Sequence, residues 1–115
     1  MRNTSPSRRW TLSPASHSAA EIEAEWHRMA ERLKPYAGQT IDTIVVSGND
    51  RTRRQTIVRE MATRQGAPLA PELVKRDAAY LRGMGFFSDV DISASSTTPG
   101  SCRVDVLIVE RPGLF

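Results

Sequence analysis

The sequence predicts an α+β domain in which a strand, two helices and a two-stranded hairpin build one three-stranded mixed sheet, with a further amphipathic helix ahead of them. Three observations lead there. Ile22, Trp26, Met29, Ala30 and Leu33 fall at i, i+4, i+7, i+8 and i+11, which lines one face of a helix. Residues 40–47 are a β-branched run, and residues 86–94 and 102–110 read as strands with a polar turn between them. Between helix and hairpin, Leu81-Arg82-Gly83-Met84-Gly85-Phe86-Phe87-Ser88-Asp89-Val90 carries a helical pattern that ends on glycine into a strand that begins at once.

In chain order, residues 1–18 combine Ser, Thr, Pro and Arg with few large apolar side chains, a composition that cannot offset the entropy of ordering, and are expected to be a disordered tail. Ser18 is the expected N-cap of the first helix, because Glu21 follows three residues later in the capping-box spacing. Glutamates crowd its first turn and Arg32 and Lys34 its last, as the helix dipole favours, and Pro35 and Gly38 end it. Trp26 and Met29 are expected to be core contacts. The first strand stops at Ser47-Gly48-Asn49-Asp50, whose side chains suit a turn and can cap the next helix. That helix is expected over residues 52–65, with Ile57, Val58 and Met61 inward and Gly66 as its C-terminal stop. Pro71 suits the first turn of a third helix, which turns Leu73, Val74, Ala78 and Leu81 inward until Gly83 and Gly85 supply positions tolerant of positive φ.

Phe86 or Phe87 then enters the core. The second strand, residues 86–94, puts Val90, Ile92 and Ala94 on one face and Asp89, Asp91 and Ser93 on the other, so one face is wet. The third, residues 102–110, carries Val104, Val106 and Ile108 on one face and Leu107 and Val109 on the other. Being apolar on both, it is expected at the centre, with Leu107 and Val109 covered by the N-terminal helix or by another domain. Each connection reverses the chain, which gives the strand order one-three-two, both helices on one face, and the second strand at an open edge. The organisation is then a tail at 1–18, the extra helix and linker at 19–38, the folded domain at 39–112 and a link at 113–115.

With 115 residues, 39% hydrophobic and 25% charged, the chain supports one core. Sixteen basic residues face thirteen acidic ones scattered among them, for a net charge of +3. A nucleic-acid binder concentrates its charge in a stripe, whereas the densest basic groups here are Arg51, Arg53 and Arg54, then Arg2, Arg8 and Arg9, so nucleic acid is not the expected partner. The single cysteine, Cys102, forms no internal disulfide and reads as a small half-buried apolar side chain. Two histidines, His17 and His27, make no cluster with metal-ligand spacing. No apolar run reaches the length of a membrane-spanning helix, and residues 1–18 lack the apolar core of a secretory signal, which predicts a chain that stays where it is made.

No phosphate-binding glycine loop or nucleophile elbow is present, and Gly83-Met84-Gly85 is a helix stop. Asp89 and Asp91 share a strand face but should point to solvent, where they discourage unwanted edge pairing rather than act as a carboxylate pair. No enzymatic activity and no cofactor are expected. Arg51, Arg53 and Arg54 at a helix start oppose the helix dipole, and are read as a solvated turn or as a contact for an acidic partner.

The ordered set Ile41-Asp42-Thr43-Ile44-Val45-Val46-Ser47-Gly48-Asn49, Arg59-Glu60-Met61 with Gly66, Leu81 through Val90, Val104-Asp105-Val106-Leu107-Ile108 and Glu110-Arg111-Pro112 resembles a POTRA (polypeptide-transport-associated) domain over residues 41–112. It is most similar to the repeats that precede the β-barrel in BamA- and TamA-like outer-membrane assembly factors. The resemblance implies a module on the periplasmic side of the outer membrane that binds unfolded outer-membrane proteins or assembly lipoproteins, next to further repeats or a barrel. It also implies strand addition along Ser88, Asp89, Val90, Asp91, Ile92 and Ser93, where main-chain bonds give affinity without demanding much of the client's sequence. Gly48, Asn49, Gly66, Gly83, Gly85, Phe86 and Phe87 would then be structural. The chain stops where a barrel-bearing relative continues, which predicts a fragment, a truncated reading frame or an excised domain. Two other readings share the pattern. A KH-like RNA-binding module needs a Gly-x-x-Gly loop where this chain has Gln65-Gly66-Ala67-Pro68. A divisome scaffold carrying one such domain needs a membrane helix upstream, which the acidic first helix cannot supply.

Overall fold

Ser18 opens the first helix as its spacing predicts: its hydroxyl accepts the Glu21 N–H at 3.1 Å, and the Glu21 carboxylate accepts the Ser18 N–H at 2.9 Å. Helix α1 (Ala19–Leu33) follows and buries Met29, Ala30 and Leu33. The computed structural model describes residues 18–112, so the expectations for the tail and for the last three residues lie outside the described residues. Pro35 lies in a single 3-10 turn, Lys34–Tyr36, that leads into strand β1 (Thr40–Ser47). Helices α2 (Arg54–Glu60) and α3 (Pro71–Gly83) come next, then the hairpin β2 (Phe87–Ser96) and β3 (Ser101–Glu110).

The sheet has the order β1-β3-β2, parallel between β1 and β3 and antiparallel between β3 and β2. In β1 the register slips between Ile41 and Thr43, so that Ile41 and Ile44, three residues apart, both face inward. In the hairpin Val90 is paired with Ile108, Ile92 with Val106 and Ala94 with Val104, which gathers the inward side chains of both strands on one face. All three helices cover that face: Leu33, Ile57, Val74, Ala78 and Leu81 share one core with Ile41, Ile44, Val90, Ile92, Val104, Val106 and Ile108. Phe87 takes the core position, 1% exposed, while Phe86 is 46% exposed.

The structure corrects four expectations. Helix α2 ends at Glu60, well short of Gln65, because Met61 is extended, with ψ 150°, and 1% exposed, turned back into the core. The chain beyond it is held by Asp77 of α3, a buried carboxylate that accepts Ala62 N–H at 2.8 Å, Thr63 N–H at 2.9 Å and the Thr63 hydroxyl at 2.5 Å. Gly66 is therefore no helix stop; it sits in the following loop and donates its N–H to Ile41 O at 2.8 Å. Asn49 does not cap α2 either. Its amide donates to Thr52 O at 2.9 Å, and the N-cap position falls to Arg53, which offers no side-chain bond. Gly83 is still helical, and of the expected pair only Gly85 has positive φ, at 89°.

The fourth correction concerns the other side of the sheet. Helix α1 packs on α3 and β2 at the inner face and leaves Leu107 50% and Val109 49% exposed. Among the described residues the second apolar row of β3 is thus open, because α1 completes the inner helical layer instead of starting a new one, which leaves cover by another domain as the remaining expectation.

Gly48, just past β1, has φ 83°, and a Cβ built there would lie 1.9 Å from the carbonyl oxygen of Ile108. Strand β1 can run this close to β3 at its end only without a side chain. Gly48→Ala is expected to destabilise the domain by about 3 kcal/mol or more in urea unfolding, since backbone must shift. Gly85→Ala, also at positive φ but with open space around it, should cost about 1 kcal/mol.

Candidate polypeptide-binding edge

A three-stranded sheet with β3 in the middle has two edges, and the fold treats them differently. The edge of β1 is occupied. Ile41 donates its N–H to Ala67 O at 3.0 Å and accepts from Gly66, Thr40 bridges to Pro68, and the Arg54 guanidinium donates to Ile44 O at 2.7 and 3.2 Å. Arg54, expected in a solvated turn or facing an acidic partner, is instead committed to closing this edge.

The edge of β2 has no such cover. Thr97 N–H donates to Ser101 O at 3.1 Å across the hairpin, so the odd-numbered residues of β2 turn their main-chain groups toward β3. By the pleat, Val90, Ile92 and Ala94 turn theirs outward, while their side chains face the helices. Val90 N–H is taken by the Asp89 carboxylate at 3.0 Å. Among the described residues, nothing caps the outward groups of Ile92 or Ala94. Of the six residues expected at the edge, Val90 and Ile92 therefore offer backbone only, and Asp89, Asp91 and Ser93 lie on the open face. Ser88 stands at a register shift between Phe87 and Asp89, where its hydroxyl approaches Val109 O at 3.4 Å.

Helix α1 runs beside this edge. Between them lies a groove of about 490 Å³, with Trp26, Met29 and Arg32 on one wall and Asp89, Asp91 and Ser93 on the other. Trp26 also packs on the core, as expected, and so has both roles. Two ion pairs tie the helices to the strand: Arg32 meets Asp91 at 2.9 Å, and Arg82 of α3 meets Asp89 at 3.4 Å. Sequence reasoning missed both. Arg82 and Asp89 straddle the helix-to-strand turn and were within reach of a local argument, whereas Arg32 and Asp91 are 59 residues apart and nothing local links them.

Arg51 and Arg53 line, with Met84 and Phe86, a second hollow of about 340 Å³ at the start of β2. There Glu110 accepts the N–H groups of Arg51 at 3.0 Å and Thr52 at 2.8 Å, which clasps the β1–α2 turn to the end of β3. Desolvation works to raise the Glu110 pKa, but the bonds from Thr52 and Arg51 and the Arg51 charge outweigh it and hold the group below its usual 4.5. Cys102 is fully buried, beyond the half-burial its sequence pattern predicts, and burial followed by the Asp42 charge pushes its thiol pKa up.

The profile of the POTRA family, described as a surface antigen variable number repeat, matches residues 39–111. The chain belongs to the POTRA family. Solved POTRA structures superpose on it. The POTRA3-5 segment of BamA from Haemophilus influenzae gives a TM-score of 0.59 at 22% identity over 62% of this chain. BamA from Haemophilus ducreyi lacking POTRA domains 1-3 gives 0.59 at 28% over 64%, and the N-terminal domain of Omp85 from Thermosynechococcus elongatus gives 0.57 at 27% over 64%. The matched region spans 29%, 14% and 35% of those chains, so this domain corresponds to about one third or less of each. No curated protein sequence matches the chain.

A depressed carboxylate pKa stabilises the folded state above the unfolded value, and that contribution is lost as pH falls through the folded value. Glu110→Gln is therefore expected to lower the urea midpoint at pH 7 and to flatten its decline below the usual carboxylate pKa of 4.5, measured by circular dichroism across a pH series.

Proposed function

We propose that this POTRA domain is a non-enzymatic polypeptide-binding module of outer-membrane protein assembly or secretion, working at the periplasmic face of the outer membrane. Its ligands are extended segments of unfolded outer-membrane proteins or of assembly lipoproteins, captured as a fourth strand on β2. Neighbouring POTRA repeats or a β-barrel would hold it in place within a longer protein.

The observation that carries this reading is the asymmetry of the two edges. The edge of β1 is sealed by the 66–68 loop and Arg54, whereas β2 turns the main-chain groups of Ile92 and Ala94 to a groove walled by α1. An added strand lies about 4.8 Å from its neighbour and brings its own N–H and C=O groups into register with those two residues. Its side chains alternate between the α1 wall, at Trp26 and Met29, and the open face beside Asp89 and Asp91. Recognition through backbone suits clients of many sequences, and membership of a family whose solved members include BamA and Omp85 points to outer-membrane proteins as those clients.

In an NMR titration, a synthetic peptide of about ten alternating tyrosine and threonine residues, roughly the length of β2, should shift amide resonances along residues 88–96 and leave those of β1 in place. N-methylation of alternate peptide residues should abolish binding in one phase and spare it in the other, because only every second N–H of the added strand faces β2. Equal tolerance of both phases, or no shift along β2, would overturn strand addition.

A further inference from the structure

Asp91 and Arg32 approach each other from different layers of the domain. Asp91 stands on the open face of the sheet, paired across strands with the half-exposed Leu107, whereas Arg32 belongs to α1, whose Met29, Ala30 and Leu33 are buried at the inner face. A 2.9 Å contact between their side chains has to run past the outer margin of β2, level with the outward C=O of Val90 and the outward N–H of Ile92. The contact therefore lies where the backbone of an added strand would lie.

We infer that the Arg32–Asp91 pair is a strap across the β2 edge, which an incoming strand must displace before it can pair. This regulates the edge proposed above as the binding site, and so rests on that reading. Arg82 and Asp89 repeat the device one step toward the start of the strand: the guanidinium holds the carboxylate at 3.4 Å, and the same Asp89 oxygen accepts the Val90 N–H. An exposed edge invites pairing with the wrong chains, and charged side chains laid along it are a common protection.

The strap is suited to yield. Its two side chains are 53% and 51% exposed, so the attraction between them is screened and small. Opening it requires only that the Arg32 side chain swing away, while the buried residues of α1 stay in the core. A client strand with many main-chain bonds to offer displaces it, and a weak or brief contact does not. The consequence is opposite to that of an attractive charged rim: removing the charges should strengthen binding.

The test uses the same uncharged tyrosine-threonine peptide on the whole 115-residue chain, with affinity taken from the titration of β2 amide shifts. Arg32→Ala and Asp91→Asn should each bind about two- to fivefold more tightly than the unaltered protein, the range a screened surface pair can supply. The double reversal Arg32→Asp with Asp91→Arg should return affinity to the starting value, which a general effect of net charge would not do. Raising salt should strengthen binding to the unaltered protein more than to Arg32→Ala, which keeps only the Arg82–Asp89 pair. If both single variants bind as the unaltered protein does, or more weakly, while β2 amides still shift, the strap is wrong and the edge site stands. If no variant shifts the β2 amides, the edge site fails and the strap with it.

Discussion

Everything in this domain depends on one packing constraint, the burial of the inner face of β3. Cys102, Val104, Val106 and Ile108 form a row with none more than 1% exposed, and the strand is hydrogen-bonded on both sides. This central strand takes β1 as a parallel neighbour and β2 as an antiparallel one, and the described helices gather on its buried inner face. The other face keeps Val45, Leu107 and Val109 exposed beside aspartates and serines, because all the described helices pack on the inner face.

The same constraint creates two sheet edges, and the chain disposes of them by different means. At β1, a loop takes the outward N–H and C=O of Ile41 and an arginine takes the C=O of Ile44, so that edge is part of the structure. At β2, protection comes from side chains that can move. Buried backbone bonds are permanent on the scale of domain stability, whereas half-exposed ion pairs are screened and readily exchanged. The edge that is guarded only by such pairs is the one proposed to take another chain.

Helix α1 changes the character of that edge. Its residues 19–33 precede the part of the chain matched by the family profile, yet Met29, Ala30 and Leu33 are as deeply buried as the residues of α3. It lengthens the helical layer beside β2 and turns an open margin into a walled groove. Trp26 faces both ways, packing on the core while lining that groove, which places one large amphipathic side chain against whatever lies alongside β2.

The order of elements, the α1 capping box, the strand order and the open β2 edge were all legible in the sequence, since each follows from periodicity, turn chemistry and chain reversal within a few residues. The family was legible as well, from spaced motifs none of which is specific alone. Other features escaped because their partners are remote. Helix α2 stops early through Met61 and the carboxylate of Asp77, a residue that reads as an ordinary polar position of α3. Arg54 looked free until folding brought Ile44 O within 2.7 Å. Leu107 and Val109 looked covered because an apolar row predicts burial, but only the assembled layers decide which apolar rows find a cover. Local sequence determined what each segment is, because propensities and caps act over one turn or one strand. Tertiary structure decided which edge is sealed and which is strapped, because a hydrogen bond or ion pair across 59 residues exists only after the core has brought its ends together.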